Sequence, residues 1–488
     1  MKGRKKQDDR LAALGDLRQF LKLSERRGEV EIIRGADPNL EIGALCELSL
    51  EATYPPVLLF EEIKGADAKF RIVVNVRSSS ILVGPLDLAA VEALRKSRKG
   101  EAPRRPIPPR QVDTGPVMEN VKTGAEIDLG AFPAPVWHAG DGGPYIGTEC
   151  LVITRDPEQD WVNVGTYRIQ VQGPRALTVF IEPGKHGAII RQKYWDRGEA
   201  CPMVVCVGQA PVLGATARGA APAGVDEFAV AGATLGRAID VVPGPVTGLP
   251  IPAEAELVFE GHVPPRAEES VEEGPFGEWT GYYGATPRPE PVFRVEAAYH
   301  RDDAIIVGQP PALPTFAGRQ THLAGAAAIW DAIEAAGVPG VKGVWKMQGG
   351  GSRFINVIAI EQLFAGHAKM AGMVATACGP GAYMGRMTIV VDDDIDITNS
   401  AEVMWAMATR WDPKTQTDIF DGYWTGHIDP TLTPEKREAG DITNSRMVVY
   451  AVRPYHWKER FPKVNRVDRD YAEEVRAKWA DKLSFLKR

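Results

Sequence analysis

The chain has 488 residues, and its 57 Lys and Arg against 64 Asp and Glu give a net charge of −7 at pH 7. At about 150 residues per domain, this length predicts roughly three domains. A mildly acidic chain has no overall attraction to nucleic acid or to an anionic membrane surface, so we expect neither as a partner. No stretch approaches the roughly 18 consecutive apolar residues of a membrane span.

The N-terminus and the cysteines bear on the compartment. The basic start, MKGRKKQDDR, lacks the apolar segment of a secretory signal. The five cysteines are scattered and form no CxxC pair, which indicates reduced thiols rather than a disulfide framework. Together these features predict a cytoplasmic location.

Residues 1–112 are predicted to form an N-terminal α/β domain. DLRQFLKLSERRGEV has apolar residues at helical spacing and can end at Gly28. PPVLLFEEI and KFRIVVNVR are enriched in β-branched and aromatic residues, as strands are, and LDLAAVEALRKSRKG predicts a second helix. The segment KSRKGEAPRRPIPPRQ mixes basic residues with prolines, which favours a solvated linker over a nucleic-acid-binding arm.

Residues 113–315 contain short β segments divided by glycine and proline. Among them are ECLVITRD, WVNVGTYRIQVQG, ALTVFIEPG, CPMVVCVGQ and PVFRVEAAYH. Many short strands with closely spaced turn signals predict a barrel or sandwich core. HGAIIRQKYWDRG and DEFAVAGATLGRA predict helices laid against it.

Alternating β and α patterns return in residues 316–488 and predict a C-terminal α/β domain. HLAGAAAIWDAIEAAG and SAEVMWAMATR predict helices, and RFINVIAI predicts a strand. MTIVVDDDIDI predicts a buried strand whose acidic end is exposed to solvent. The last helix carries an apolar residue at every fourth position, which predicts a face that docks on its own subunit or on a neighbour. These residues are Tyr471, Val475, Trp479 and Leu483.

Two sets of residues could carry chemistry. Glu273 and Glu278 flank the Gly-Pro-Phe-Gly turn at 274–277, so both carboxylates can point into one small volume. If they are close and partly buried, one resists ionisation while the other stays charged, which separates acid and base roles. The alternative is a proline-glycine turn with solvated acids.

Asn163, His186 and Glu227 form the second set. An amide oxygen, an imidazole nitrogen and a carboxylate oxygen suit manganese or magnesium, and the single anionic ligand leaves positive charge for a phosphate to balance. Their spacing alone matches no known metal signature, and the alternative for His186 is a histidine with ordinary hydrogen bonds.

Five motifs in chain order connect these residues: NxGxYRxQ, PGKHG, ExxxAG, EGPFGE and DDDIDI…WAMATR. Their order and spacing resemble the UbiD family of prenylated-FMN-dependent decarboxylases, from DLRQFL near the start to the last helix. The resemblance implies an N-terminal α/β domain, a central flavin-binding split β-barrel and a C-terminal α/β oligomerisation domain. It also implies a homodimer or homohexamer, with a flavin prenyltransferase as the supplier of the cofactor.

The resemblance assigns roles to individual residues. Arg168, Glu273 and Glu278 match the catalytic Arg–Glu–Glu triad. Asn163, His186 and Glu227 match the residues that hold Mn²⁺ (or Mg²⁺) against the phosphate of prenylated FMN. The full set expected to bind the cofactor is Asn163, Val164, Gly165, Thr166, Tyr167, Arg168, Lys185, His186 and Glu227. Trp161 and Arg410 fall where the family contacts a potassium ion.

One segment departs from the family. In the ferulic acid decarboxylase branch a lysine reaches the cofactor between a late helix and the DDxDI strand. This chain has CGPGAYMGR there, without a lysine, which leaves Arg386 as the candidate replacement. Together with Lys185, this segment is expected to shape the substrate pocket and argues against a cinnamate-type substrate.

The resemblance implies a reversible, non-oxidative decarboxylase of an aromatic, heteroaromatic or α,β-unsaturated acid, with CO2 as a product. Arg168 would hold the substrate carboxylate and keep Glu273 ionised, and Glu278 would deliver a proton to the vacated carbon. Two alternatives are a flavin-binding reductase of the same fold and a non-catalytic subunit. The joint presence of the three charged residues counts against both.

Overall fold

The computed structural model describes residues 2–52, 54–82, 84–100, 105–219, 221–284, 286–313, 322–480 and 482–483. Within these ranges the strands form sheets of four, ten and five strands and one small three-stranded sheet. Helices cover these sheets, so the predicted α/β multidomain fold class is confirmed. None of the described helices is both long and apolar enough to cross a membrane.

The first sheet belongs mainly to the N-terminal part of the chain. Its strands, in spatial order, are β1 (Val30–Arg34), β2 (Val57–Glu61), β3 (Arg71–Val74) and β17 (Ile305–Val307). β17 pairs in parallel with β3, so a strand from far along the chain completes this sheet. The helices of this part are α1 (Lys2–Gly15), α2 (Leu17–Arg26), α3 (Glu41–Leu50) and α4 (Leu88–Gly100).

α2 shows why the predicted helix forms. Asp16 caps its N-terminus by accepting a hydrogen bond from the Gln19 amide at 2.6 Å. Leu17, Phe20 and Leu21 are all buried, as their spacing predicts.

The ten-stranded sheet is antiparallel and forms the central layer. Its main path runs β6 (Tyr145–Gly147), β9 (Arg168–Gly173), β10 (Ala176–Phe180), β16 (Arg288–His300), β14 (Leu257–Val263), β11 (Cys201–Cys206), β7 (Leu151–Arg155) and β8 (Val162–Gly165). β5 (Asn120–Thr123) and β15 (Ser270–Glu273) also pair with β16. The small sheet contains β13 (Pro250–Pro252), β12 (Asp240–Pro243) and β4 (Arg110–Gln111). The helices here are α5 (His186–Asp196), α6 (Pro211–Ala217) and α7 (Glu227–Leu235).

The connection from β8 to β9 shows that this sheet curls. β8 ends the path and β9 lies next to its other end, yet only Thr166 and Tyr167 separate the two strands in sequence. Three peptide units span at most about 11 Å, so the two ends of the sheet must lie close together. The result is a curled half-barrel, in agreement with the predicted split barrel.

The C-terminal sheet has the order β18 (Val341–Lys346), β19 (Ile355–Ile360), β20 (Met387–Asp392), β22 (Thr443–Ala451) and β21 (Thr417–Trp424). β19, β20 and β22 are parallel, and the two outer strands are antiparallel to them. The helices of this part are α8 (Leu323–Ala335), α9 (His367–Ala377), α10 (Gly379–Ala382), α11 (Ser400–Arg410), α12 (Pro434–Glu438) and α13 (Arg469–Trp479).

The prediction that the acidic end of β20 is exposed to solvent is wrong for Asp392. Its side chain is 3% exposed and accepts hydrogen bonds from Gln362, Arg410 and the backbone and side chain of Arg453. Two arginines supply the charge that a buried carboxylate requires, and a run of aspartates alone does not reveal them.

The predicted apolar face of α13 stays partly exposed in the described part of the chain. Tyr471, Val475 and Trp479 are 60%, 37% and 38% exposed. A neighbouring subunit therefore stays as the expected docking partner for this face.

A buried ion pair joins α2 to the central layer. Glu256 is fully buried, and Arg18 donates from Nε and Nη2 to its two carboxylate oxygens at 2.9 and 2.8 Å. The Ile305 amide donates to the same carboxylate at 3.3 Å. This carboxylate therefore ties the first helices to the start of β17.

Arg18→Leu would leave the Glu256 carboxylate without its main partner, and we expect the free energy of unfolding to fall by about 3 kcal/mol. The matched control is Arg34→Leu, which removes an ion pair to Glu61 in which the arginine side chain is 57% exposed. A loss below about 1 kcal/mol is expected there. Urea-induced unfolding followed by circular dichroism measures both values, and equal losses would contradict a structural role for the Arg18–Glu256 pair.

Candidate active site

The guanidinium of Arg168 binds two glutamates. Its Nε and Nη2 donate to the two oxygens of Glu273 at 2.9 and 2.8 Å, and its Nη1 donates to Glu278 at 2.6 Å. The three side chains are only 9%, 1% and 14% exposed. The structure thus brings together the three charged residues that the sequence singled out, although they are up to 110 residues apart.

Aromatic rings fix the orientation of this guanidinium. Arg168 begins β9, and Phe180 is its direct cross-strand partner on β10. The guanidinium carbon lies 4.1 Å from the centre of the Phe180 ring and 5.6 Å from that of Phe276. A cation held over an aromatic face keeps its plane fixed, so its N–H groups are aimed at the carboxylates.

The two glutamates have different surroundings. Glu273 accepts two hydrogen bonds from Arg168 and one from the hydroxyl of Tyr145 at 2.9 Å, which stabilises a charged carboxylate. Glu278 has one such bond from Arg168, and burial raises its pKa to about 7, with the charges of Glu182 and Glu273 adding to the rise. Glu278 can therefore carry a proton near neutral pH.

Asn163, Glu227 and His186 come from three adjoining elements. Asn163 lies on β8, and the amide of the next residue, Val164, donates to Glu227 at 2.9 Å. Glu227 begins α7, and His186 begins α5. The His186 ring lies edge-on to Trp161, with 5.1 Å between ring centres.

Tyr167 occupies the space between β8 and the start of α5. A Cβ atom at Gly165 would lie 2.5 Å from its hydroxyl, and one at Gly187 would lie 2.9 Å from it. Only glycine leaves room for the tyrosine at these two positions. The expected cofactor-binding stretch 163–168 and the segment after Lys185 are therefore neighbours.

The residues predicted to bind the metal ion and the cofactor phosphate have properties that suit both ligands. The side-chain Nδ2 of Asn163 and the Nε1 of Trp161 are buried without a hydrogen-bond partner among the described residues. Burial raises the pKa of Glu227 to about 7, and a bound cation would favour its charged form. No three His, Cys, Asp or Glu side chains cluster as a metal site in the described ranges. The predicted set includes only two of those residue types, because its third ligand is an amide.

The two residues expected at a potassium site lie in different surroundings. Trp161 lies beside His186. Arg410 ends α11, and its ion pairs within the described chain are to Asp392 at 2.8 Å and Asp394 at 2.7 Å. The potassium site stays a prediction.

Sequence reasoning missed a basic and aromatic group formed by Arg353, just before β19, with Trp279 and Tyr383. Arg353 lies over the rings of Trp279 and Tyr383, at 5.2 and 6.0 Å from their centres. Trp279 directly follows Glu278. Burial raises the pKa of Tyr383 to about 12, and the charges of Glu182 and Glu278 add to the rise. No sequence motif identifies Arg353, because its neighbours Trp279 and Tyr383 come from other segments of the chain.

A lysine does reach the CGPGAYMGR segment, from another strand. Lys346, at the end of β18, donates to the Pro380 carbonyl at 3.1 Å, and burial lowers its pKa to about 8. Arg386, the replacement expected from the sequence, instead donates to both oxygens of Asp429 at 2.8 and 2.7 Å. Lys346 is therefore a second basic residue at this segment, and the role expected of Arg386 stays a prediction.

Comparisons with known proteins agree along most of the chain. Family models of the N-terminal, Rift-related and C-terminal domains of 3-octaprenyl-4-hydroxybenzoate carboxy-lyase (UbiD) match residues 21–81, 110–314 and 321–451. A pyrrole-2-carboxylic acid decarboxylase of Pseudomonas aeruginosa is 31% identical over 473 residues, with 90% of this chain and 91% of that protein covered.

Solved structures show the same similarity. The UbiD-class enzyme HmfF from Pelotomaculum thermopropionicum, in complex with FMN, has a TM-score of 0.80 and 29% identity, covering 96% of this chain and 100% of its own. An evolved dimeric form of HmfF in complex with prFMN has a TM-score of 0.76 and 29% identity, with the same coverage. Since the family models, the relative and the structures each cover most of the chain, it belongs to the UbiD family of carboxy-lyases.

Proposed function

We propose that this protein is a reversible, non-oxidative decarboxylase of an aromatic, heteroaromatic or α,β-unsaturated carboxylic acid, with prenylated FMN as its cofactor. The observation that carries the proposal is the buried cluster of Arg168 with Glu273 and Glu278. A similar protein decarboxylates pyrrole-2-carboxylic acid, and a similar structure holds prFMN.

Asn163, His186 and Glu227 would hold Mn²⁺ or Mg²⁺ against the cofactor phosphate, with Lys185 at the start of α5 as a further cationic contact. The stretch 163–168 would line the flavin. When bound, the cofactor supplies the electron sink that cleavage of a carboxylate from an sp² carbon requires.

Arg168 can bind a substrate carboxylate without releasing its glutamates. Nε, one N–H of Nη1 and one N–H of Nη2 are donated to Glu273 and Glu278. Nη1 and Nη2 each carry a second N–H beyond these bonds, and each of these can donate to an oxygen of a substrate carboxylate. The Phe180 ring beneath the guanidinium holds this pair in one direction.

Glu278 then supplies the proton. A carboxyl whose pKa is about 7 is protonated in a large fraction of molecules at neutral pH, whereas a solvated glutamate is not. Glu278 would protonate the carbon that CO2 leaves, and Arg168 would afterwards stabilise the resulting carboxylate. Glu273 accepts three hydrogen bonds, from Arg168 and Tyr145, and keeps the guanidinium in place.

Three finer features belong to the same proposal. A flavin prenyltransferase would supply the cofactor, and Trp161 and Arg410 would contribute to a potassium site. The protein would form a homodimer or homohexamer, which the exposed apolar face of α13 supports.

The visible spectrum of protein coexpressed with a flavin prenyltransferase tests the function. A bound modified flavin, stoichiometric manganese and CO2 release from a panel of aromatic and heteroaromatic acids are expected. Plain FMN with NADH turnover would instead identify a reductase, and colourless protein would identify a non-catalytic subunit.

Glu278→Gln keeps the size and shape of the side chain but removes the carboxyl group that can transfer a proton. We expect kcat for CO2 release to fall by at least about 10²-fold, because general acid catalysis is lost. Flavin absorbance per protein should be unchanged. The matched control is Glu272→Gln, an exposed acid in the same segment, which should keep full activity. Near-native turnover by Glu278→Gln would remove this residue as the proton donor.

The pH dependence of kcat follows from the raised pKa of Glu278. The acid form predominates well below pH 7 and is lost as the pH rises through about 7. We therefore expect kcat to be level on the acid side and to fall about tenfold per pH unit well above pH 7. Initial rates between pH 5.5 and 9, roughly two units either side of the pKa, give this profile. A rate that stays level through that range would contradict the assignment.

Asn163→Ala and His186→Ala each remove one expected metal ligand. We expect both variants to be isolated with less than about a tenth of the wild-type manganese and flavin, because metal ligands act as a set. Metal analysis and visible absorbance after coexpression measure the two losses. The matched control is His262→Ala, whose ring pairs with Glu296 at the surface. Full cofactor content in His186→Ala would contradict the assigned metal site.

A further inference from the structure

A second loop, residues 138–145, holds the glutamate-bearing loop, residues 273–278. Asp141 Oδ1 accepts a hydrogen bond from the Gly277 amide at 3.2 Å, and the Gly142 amide donates to the Pro275 carbonyl at 2.8 Å. A Cβ atom at Gly142 would lie 1.9 Å from the Gly274 carbonyl oxygen, so the two backbones touch. Since Gly277 precedes Glu278, this contact fixes the chain one residue from the proposed proton donor.

Asp141 is also part of a row of three ionisable side chains that reaches α3. Its side chain is fully buried, and its Oδ2 accepts a hydrogen bond from the His138 amide at 3.0 Å and lies 3.7 Å from His138 Nδ1. The other ring nitrogen of His138, Nε2, lies 3.0 Å from Glu47 Oε1 on α3. These contacts therefore connect Glu47 to His138, His138 to Asp141, and Asp141 to the Gly277 amide.

The charges of Glu47, His138 and Asp141 influence one another. The Asp141 carboxylate, and after it Glu47, raise the pKa of His138 above its ordinary value, although burial opposes the rise. Burial and Asp141 raise the pKa of Tyr283, on the turn that faces Asp141, to about 12, so Tyr283 stays neutral. When His138 is protonated, it is the cation that lies beside the buried Asp141 carboxylate.

We propose that Asp141, His138 and Glu47 position Glu278 for proton delivery, and so couple the position of α3 to that step. The proposal rests on the role of Glu278 proposed above. The three are positioning residues, because they act through the Gly277 amide and through the bond from the Glu278 amide to the Tyr282 carbonyl at 3.0 Å. Loss of the proton from His138 leaves a buried carboxylate uncompensated, which weakens the hold on the 273–278 loop.

Amide hydrogen exchange of the holoenzyme tests the contact directly. In Asp141→Ala we expect exchange of the peptide that contains 273–278 to speed up at least about tenfold, because its anchor is lost. Asp141→Asn keeps an acceptor for the Gly277 amide but removes the charge that faces His138, so an intermediate increase is expected. The control is Asp113→Ala, an exposed aspartate. Unchanged exchange in both Asp141 variants would overturn the proposal.

Kinetics separate positioning from general damage. Asp141→Ala should lower kcat for CO2 release at least about tenfold. The solvent deuterium isotope effect on kcat should rise, because proton delivery becomes slower, while KM and flavin content stay within about twofold. Rescue of kcat by Asp141→Asn, at least in part, is expected. A parallel loss of kcat, KM and flavin would point to misfolding and overturn the positioning role.

Glu47→Gln tests the ionic contacts in this row of side chains. The raised pKa of His138 means that its charged form, and the hold on the loop, is lost as the pH rises through that pKa. Removing the Glu47 charge lowers the pKa, so exchange of 273–278 should begin to accelerate at a lower pH than in the wild type. Glu51→Gln, exposed just after α3, is the control. An unshifted profile in Glu47→Gln would overturn the coupling to α3.

The two proposals can fail separately. If exchange responds as expected but the wild-type protein releases no CO2 from any acid in the panel, the loop contact stands and the proposed function fails. If CO2 is released and exchange does not respond, the function stands and the positioning role fails.

Discussion

One positive charge faces two buried carboxylates at the centre of this molecule, and the site depends on that imbalance. Arg168 gives two of its three hydrogen bonds to Glu273 and one to Glu278. A single guanidinium cannot fully compensate two buried anions, so the less favoured acid keeps its proton more readily. Burial raises the pKa of Glu278, and its single hydrogen bond from Arg168 only partly offsets that rise.

The curled sheet explains how a short stretch of sequence serves two parts of the site. Asn163 lies on β8 and Arg168 on β9, five residues later, but these strands lie at opposite ends of the sheet path. Closure of the sheet brings the ends together, so the stretch 163–168 contains both the expected metal ligand and the arginine that binds the two glutamates. A flat sheet with the same strand order would need a much longer connection.

The local features of the fold and the motif-bearing Arg–Glu–Glu cluster could be predicted from the sequence, whereas long-range ion pairs outside the family motifs could not. The helices at 186–196 and 227–235 and the buried strand at 387–392 follow from periodicity, and the Arg–Glu–Glu set follows from family motifs. A run of acids is usually solvated, so the sequence predicts an exposed Asp392, whereas its compensating Arg410 and Arg453 lie 18 and 61 residues away. Glu47 and His138 are 91 residues apart, and no pattern in either segment points to the other. Such partners become visible only when the chain is folded.

The pairing of β17, residues 305–307, with β3 affects how the N-terminal sheet can fold during synthesis. The N-terminal sheet has β3 as its edge until β17 is added alongside it. On a ribosome, roughly three hundred residues must therefore emerge before that edge is covered, and unpaired edges of apolar strands are prone to wrong pairing. β3 presents three buried residues, Ile72, Val73 and Val74, along this edge. A fragment that stops after the first hundred residues would leave the same edge permanently unpaired. We therefore expect that the N-terminal sheet is not a stable domain by itself.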